Sequence, residues 1–199
     1  IEIMISEGEQ TITEDVGILD NNVFPDDLLM KYIAVVPGEP FRRKEVDDTT
    51  VALLTHYADN GFLDAEVRPD VRVDSLTHRA LVDFIVTEKA QYTVGGIVVR
   101  GLDKTRQSVV SRELLFEIGD VVDYSRLLAS QRNIYLTGLF QNVYIRPGAP
   151  AEDDSTKKDI NVDVVEGMSG EFNVAVGYGS IDRARSRIEV YNNNLWGTA

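Results

Sequence analysis

The chain has 199 residues, 43% of them hydrophobic, and its 33 Asp and Glu residues outnumber 20 Lys and Arg to give a net charge of −13. This size and hydrophobic content indicate one or two folded domains and exclude a disordered chain, and no apolar run approaches the roughly 20 residues of a transmembrane helix. The acidity argues against a nucleic-acid-binding surface, because phosphate binding needs clustered Lys and Arg.

Three segments share one strand-like pattern and define an internal repeat. They occupy residues 1–7, 82–88 and 160–166, and each alternates apolar with polar residues and ends on a glutamate. Alternation with a period of two predicts a strand with one buried face. The terminal glutamates are 81 and 78 residues apart. We therefore expect residues 1–7 to be the last strand of a truncated module, followed by whole modules in residues 8–89 and 90–168.

The first whole module begins with a predicted strand that includes residues 16–18. A short helical pattern follows over residues 25–36 and stops before Gly38, where a glycine suits a left-handed helix C-cap. Residues that share one face at helical spacing predict a second helix. They are Val46, Thr50, Leu53, Leu54 and Tyr57.

The end of this second helix has a characteristic order of residues. Tyr57 on the last turn is followed by Gly61 and then by Phe62. We expect the tyrosine to dock the helix on a sheet, the glycine to reverse the chain, and the phenylalanine to close the edge of the core. A second strand then covers residues 65–71, and residues 82–88 supply the third.

The second module repeats this order. Its first strand includes residues 97–99, and a short helical pattern over residues 108–118 stops before Gly119. The second helix has Ser125 as its predicted N-cap. Its predicted apolar stripe consists of Leu128, Ile134 and Tyr135.

The helix end is also repeated, because Tyr135 precedes Gly138 and Phe140. A second strand near residues 143–146 and a third in residues 160–166 complete the module. Each module is therefore predicted to be β-α-α-β-β, an α+β fold with two helices over a sheet of three strands.

Residues 169–199 have a different pattern. Residues 172–179 and 186–191 alternate large apolar residues with small or polar ones, as strands of a membrane barrel do when one face meets lipid and the other the lumen. Two strands cannot close a barrel. We expect these residues to be the first strands of a truncated outer-membrane β-barrel, and pairing into a soluble sheet is the alternative.

Taken in order, these segments resemble a known family. The modules resemble POTRA domains through Tyr57 with Gly61-Phe62, Tyr135 with Gly138-Leu139-Phe140, Gly101 after a first strand, and the ending Val165-Glu166-Gly167. The tail resembles the barrel entry of outer-membrane assembly proteins of the BamA and TamA type through Gly177-Tyr178-Gly179 and Asn194-Leu195-Trp196-Gly197. The first module departs from the pattern at Leu19-Asp20-Asn21-Asn22, where a Gly or Asn turn is usual.

The resemblance implies a periplasmic segment of a bacterial outer-membrane assembly or insertion factor, with no enzymatic activity and no cofactor. The expected partners are unfolded outer-membrane proteins, accessory lipoproteins, and the outer membrane through the missing barrel. Two other classes stay open, a two-partner-secretion pore and a structural interaction module. The partial repeat in residues 1–7 indicates at least three modules, which favours the assembly factor.

The resemblance also implies β-augmentation, in which an extended client strand adds to a free sheet edge. The apolar third strand of each module suits the sheet centre, which leaves the second strand at the rim. Pro69 and Pro147 support this position, because proline is tolerated at sheet edges, although they could instead merely protect the edge from aggregation. The candidate client-binding residues are Ala65, Glu66, Val67, Arg68, Val71, Val143, Tyr144, Ile145 and Arg146.

Candidates for catalysis or metal binding are few. The chain has no cysteine, which excludes disulfides, thiolate metal sites and cysteine nucleophiles. His56 and His78 are its two histidines, and neither stands in a pattern of further ligands. We therefore predict no catalytic residue and no metal site.

Overall fold

The computed structural model describes residues 9–151, 154–167, 170–179 and 183–192. The strand expected in residues 1–7 and the tail residues 194–197 lie outside these ranges. The chain divides between Tyr92 and Thr93 into two compact units.

The first unit contains β1 (Ile12–Leu19), α1 (Asp26–Leu29) with a 3-10 turn over Met30–Tyr32, α2 (Arg43–Asp59), β2 (Glu66–Asp74) and β3 (Arg79–Thr87). Its sheet has the strand order β1-β3-β2. The central strand β3 is parallel to β1 and antiparallel to β2. The predicted sheet of three strands is confirmed, with the third strand at its centre.

The second unit contains β4 (Thr93–Arg100), α3 (Gln107–Ser111), α4 (Tyr124–Leu136), β5 (Phe140–Pro150) and β6 (Lys157–Glu166). Its sheet has the corresponding order β4-β6-β5. The strands β7 (Gly170–Gly179) and β8 (Arg183–Asn192) form a separate antiparallel pair. The α+β prediction is confirmed in both units.

The cores follow from the alternation that the sequence showed. In β3, every second residue from Ala80 to Val86 is almost fully buried, because one face of the strand is covered by the helices. Burial of each of the larger side chains, Val82, Phe84 and Val86, contributes about 1.5–3 kcal/mol relative to exposure. In β6 the corresponding buried residues are Ile160, Val162 and Val164.

The first helix of each unit is much shorter than predicted. The pattern over residues 25–36 is helical only through Tyr32, and that over residues 108–118 only through Ser111. The prediction that Gly38 and Gly119 are helix C-caps is wrong. Both glycines have a positive φ, 86° and 96°, but each lies in a turn after a non-helical segment.

A buried hydroxyl from the second helix satisfies the backbone where the predicted first helix is absent. Thr49 accepts a hydrogen bond from the Ala34 N–H at 2.9 Å, and Ser130 accepts one from the Leu115 N–H at 2.8 Å. Both hydroxyl residues are fully buried. These N–H groups therefore need no helical partner.

Of the predicted apolar stripe of α4, only Ile134 is buried. Leu128 and Tyr135 are 48% and 58% exposed, whereas Leu127 and Ile134 are buried. The N-cap is Asp123, whose side chain accepts from the Arg126 N–H at 2.9 Å, and the prediction of Ser125 is wrong.

The error at Tyr135 arises because α4 has 13 residues and α2 has 17, a difference of about one turn. The buried pairs Val46 and Leu127, Thr49 and Ser130, and Leu53 and Ile134 are each 81 residues apart. Tyr57 lies in the additional turn of α2, where it is fully buried. Its docking role is confirmed, and that of Tyr135 is wrong.

Candidate functional site

The candidate binding residues lie on the rim strands of two different sheets. Glu66, Val67, Arg68 and Val71 belong to β2, and Val143, Tyr144, Ile145 and Arg146 belong to β5. Ala65 lies before β2, in a turn where its N–H donates to the Phe62 carbonyl at 3.1 Å.

The side chains of these strands alternate between core and solvent. Val67, Val143 and Ile145 are buried on the helix side. Tyr144 and Arg146 are exposed, and the Arg146 guanidinium lies 5.8 Å from the centre of the Tyr144 ring. The buried side chains hold the strands in the sheet, so what these residues offer to a partner is backbone.

In β2, the backbone N–H and C=O groups of alternate residues point away from the neighbouring strand. The Ile12 N–H donates to the His78 carbonyl at 2.9 Å. In β3, the backbone N–H and C=O groups of Ala80 and of every second residue after it therefore point toward β1. The backbone groups of the intervening residues point toward β2, where they form hydrogen bonds with its even-numbered residues. The outward-facing residues of β2 are therefore Val67, Pro69, Val71 and Val73.

The same reasoning applies to β5. The Thr93 N–H donates to the Thr156 carbonyl at 2.9 Å, which sets the side of β6 that faces β4. In the regular part of β5 the outward-facing residues are then Val143, Ile145 and Pro147.

One of these outward-facing N–H groups already forms a hydrogen bond with a side chain. The Ile145 N–H donates to the Oε1 atom of Gln131, from α4, at 3.0 Å. The sequence offered no signal for this bond, because it depends on how α4 packs on β5.

The first strands are also rim strands, but backbone covers their beginnings. The Thr13 N–H donates to the Glu39 carbonyl and the Gly38 N–H donates to the Thr13 carbonyl, both at 2.8 Å. Val94 is joined in the same way to the turn at Gly119. The beginnings of β1 and β4 are therefore closed to an added strand.

The glutamates that end the two described repeats, Glu88 and Glu166, have a structural role that the sequence analysis missed. Glu166 accepts hydrogen bonds from the backbone N–H groups of Asp103, Lys104 and Thr105, at 2.8–3.2 Å. Burial disfavours its charge, but these N–H groups outweigh that effect and hold the pKa of the carboxyl below its ordinary value.

Glu88 does the same in the first unit. Its carboxylate accepts from the N–H groups of Asn22 and Val23 at 2.9 and 2.8 Å, and from the hydroxyl of Tyr57 at 3.0 Å. Glu88 and Glu166 thus each tie the loop after the first strand of their unit to the end of its central strand.

The two histidines lie in different surroundings. His56 packs between Phe24 and Tyr32, with ring centres 4.6 and 4.7 Å apart, and burial lowers its pKa. His78 lies 3.1 Å from the Glu9 carboxylate. Across the described residues, no three His, Asp or Glu side chains are arranged to hold a metal ion.

Within the described part of the chain, no helix combines the length and the apolar character needed to cross a membrane.

The comparisons with known proteins agree with this architecture. The POTRA family, described as the surface antigen variable number repeat, matches residues 12–89 and 92–167. These matches cover more than half of the chain, which therefore belongs to the POTRA family.

The chain is similar to assembly factors of the BamA type. It is 27% identical over 171 residues to the outer membrane protein assembly factor BamA of Neorickettsia risticii (strain Illinois), covering 86% of this chain and 23% of that protein. It is 27% identical over 203 residues to BamA of Neisseria meningitidis serogroup B, covering 100% of this chain and 25% of that protein. The chain thus spans about a quarter of the length of these relatives.

Solved structures show the same fold. BamA from Haemophilus ducreyi lacking POTRA domains 1–3 has a TM-score of 0.77 at 22% identity, covering 95% of this chain and 35% of that chain. Haemophilus influenzae BamA POTRA3-5 has a TM-score of 0.70 at 20% identity, covering 80% and 63%.

Proposed function

We propose that this chain is the periplasmic POTRA region of a bacterial outer-membrane protein assembly factor, and that it binds client strands by β-augmentation at the second strand of its modules. The observation that carries the proposal is the row of outward-facing backbone groups on β2. Such groups form hydrogen bonds with any extended backbone. Binding through them is sequence-tolerant, which suits a factor that handles many clients.

The place of the chain in a longer protein follows from the same proposal. The modules occupy residues 8–89 and 90–168 and pass clients to a barrel whose first strands lie in residues 169–199. The names of the BamA relatives support an assembly role. Unfolded outer-membrane proteins are the expected clients, and accessory lipoproteins are further candidate partners. No step of this function needs an enzyme or a cofactor.

The test is an amide NMR titration of the full chain with an unfolded peptide from an outer-membrane barrel strand. We expect chemical-shift changes at outward-facing amides of at least one rim strand. Changes confined to the helices, or none at millimolar peptide, would contradict the proposal.

A further inference from the structure

At one equivalent position, neither rim strand has a free backbone N–H, and the reason differs between the two strands. Pro69 pairs with Phe84, and Ile145 pairs with Val162. Phe84 and Val162 are 78 residues apart, the spacing of the repeat in this strand. Pro69 has no N–H to offer, and at Ile145 the N–H is taken by Gln131.

The two edges differ at the next outward-facing position along the strand. In β2, Val71 lies opposite Val82 of the central strand and has an outward N–H. Val73 has a second outward N–H. Opposite Ile160 in β5 stands Pro147, which has none. Between residues 143 and 147, β5 therefore keeps one unoccupied outward donor, whereas residues 71–74 of β2 offer two donors in succession.

The residue at the equivalent position of the second helix differs between the units in the same way as the strand does. Gln131 is the eighth residue of α4, and Thr50 is the eighth residue of α2. The Thr50 hydroxyl donates to the Val46 carbonyl of its own helix at 2.8 Å. A side-chain cap is thus present where the strand has an N–H, and absent where the strand has proline.

We infer that the two edges are not equivalent: an extended peptide adds to residues 71–74 of β2, while the Gln131 carboxamide and Pro147 close β5. This inference rests on the proposed function. An extended backbone is the partner that fits, because pairing needs alternating donors and acceptors at strand spacing. On β5 an incoming carbonyl must displace Gln131, and the loss of one such hydrogen bond corresponds to roughly 2- to 12-fold weaker binding.

The cap itself is tested without any peptide. The Gln131→Thr substitution gives α4 the residue that α2 carries at this place. Hydrogen exchange of the Ile145 amide should then become faster, while exchange of the Val164 amide in the central strand stays the same. Unchanged exchange at Ile145 would overturn the capping role.

Peptide binding is tested on the full chain with a synthetic, end-capped peptide of alternating Val and Thr residues. We expect amide shifts at Val71 and Val73 and none at Ile145. The Val71→Pro variant should bind roughly 2- to 12-fold more weakly, since it removes one donor. Proline is tolerated in a rim strand at this place, as Pro147 shows, and Val73→Pro serves as a second variant if Val71→Pro fails to fold.

The double variant Gln131→Thr with Pro147→Val opens the other edge and should add a second site with shifts at Ile145. Shifts at Ile145 in the unmodified chain as large as those at Val71, or no gain in the double variant, would overturn the inference and leave the proposed function standing. No shift on either edge in any variant would contradict the proposed function itself.

Discussion

Gly101 follows β4 at a place where a side chain has no room. Its φ is +88°, and a Cβ atom there would overlap the carbonyl oxygen of Val164 in the central strand. In the first unit the equivalent residue is Asp20, which adopts the same left-handed conformation with φ of 64°. Asp and Asn tolerate this conformation better than most residues, so the positive φ by itself does not require glycine in the first unit.

The Gly101→Ala substitution should strongly destabilise the second unit. Backbone strain costs about 1 kcal/mol or more where φ is positive, and the overlap with Val164 adds to it. Urea denaturation monitored by circular dichroism measures the loss. Gly119→Ala is the matched control, since its φ is also positive but its Cβ would meet open space. Equal losses in both variants would contradict the role of the overlap.

The terminal glutamate makes the stability of the second unit pH-dependent. The folded pKa of Glu166 lies below its unfolded value. Its contribution is therefore fully present above the unfolded pKa and is lost as the pH falls through the folded pKa. Glu166→Gln should cost about 1–3 kcal/mol at neutral pH, because hydrogen bonds to a charged acceptor are replaced by weaker ones.

Denaturation at a series of pH values checks this prediction. The variant should lose less stability on acidification than the unmodified chain, since the titrating group is gone. Glu117→Gln, at an exposed residue of the same unit, should behave like the unmodified chain. Parallel pH profiles for Glu166→Gln and the unmodified chain would refute the role of the carboxylate.

At the scale of elements, the length of α4 decides whether the tyrosine near its end is buried. The helix is one turn shorter than α2, so the tyrosine that precedes its glycine lies outside the core. Ile134→Ala should then destabilise the second unit by about 2–5 kcal/mol through the cavity it leaves. Tyr135→Ala should change stability by no more than about 0.5 kcal/mol. Thermal melts of the two variants compare them directly, and a larger loss for Tyr135→Ala would show that α4 docks by its tyrosine.

At the scale of the whole molecule, β7 and β8 pair with each other in a sheet of their own. Ending the chain after residue 168 should therefore change the melting temperatures of both modules by less than about 2 °C. Ending it after residue 159 is the positive control, since this removes the buried residues of β6 and should unfold the second unit. A large fall in melting temperature for the first truncation would show that the tail packs on a module.

Much of the fold could be predicted from local patterns. The alternation of β3 and β6, the repeat of the terminal glutamates, and the glycine after each second helix correctly indicated two α+β units with apolar central strands. The rim position of β2 and β5 followed, because an apolar third strand suits the sheet centre. The buried side of α4 could not be read in this way, since Leu127 and Leu128 are equally apolar and only the packing of the helix on its sheet decides between them.

The sequence by itself determined the number, order and type of the main elements, because strand alternation and helix periodicity are local properties of the chain. The prolines at 69 and 147 remove two donors by sequence, but only the tertiary structure decided which of the other backbone groups on the rim strands are available. The Gln131 bond to Ile145 joins residues 14 apart, and the Glu166 bonds to residues 103–105 join residues 61–63 apart. Such contacts depend on how elements cross in space, and that geometry is set by the packing of the whole unit.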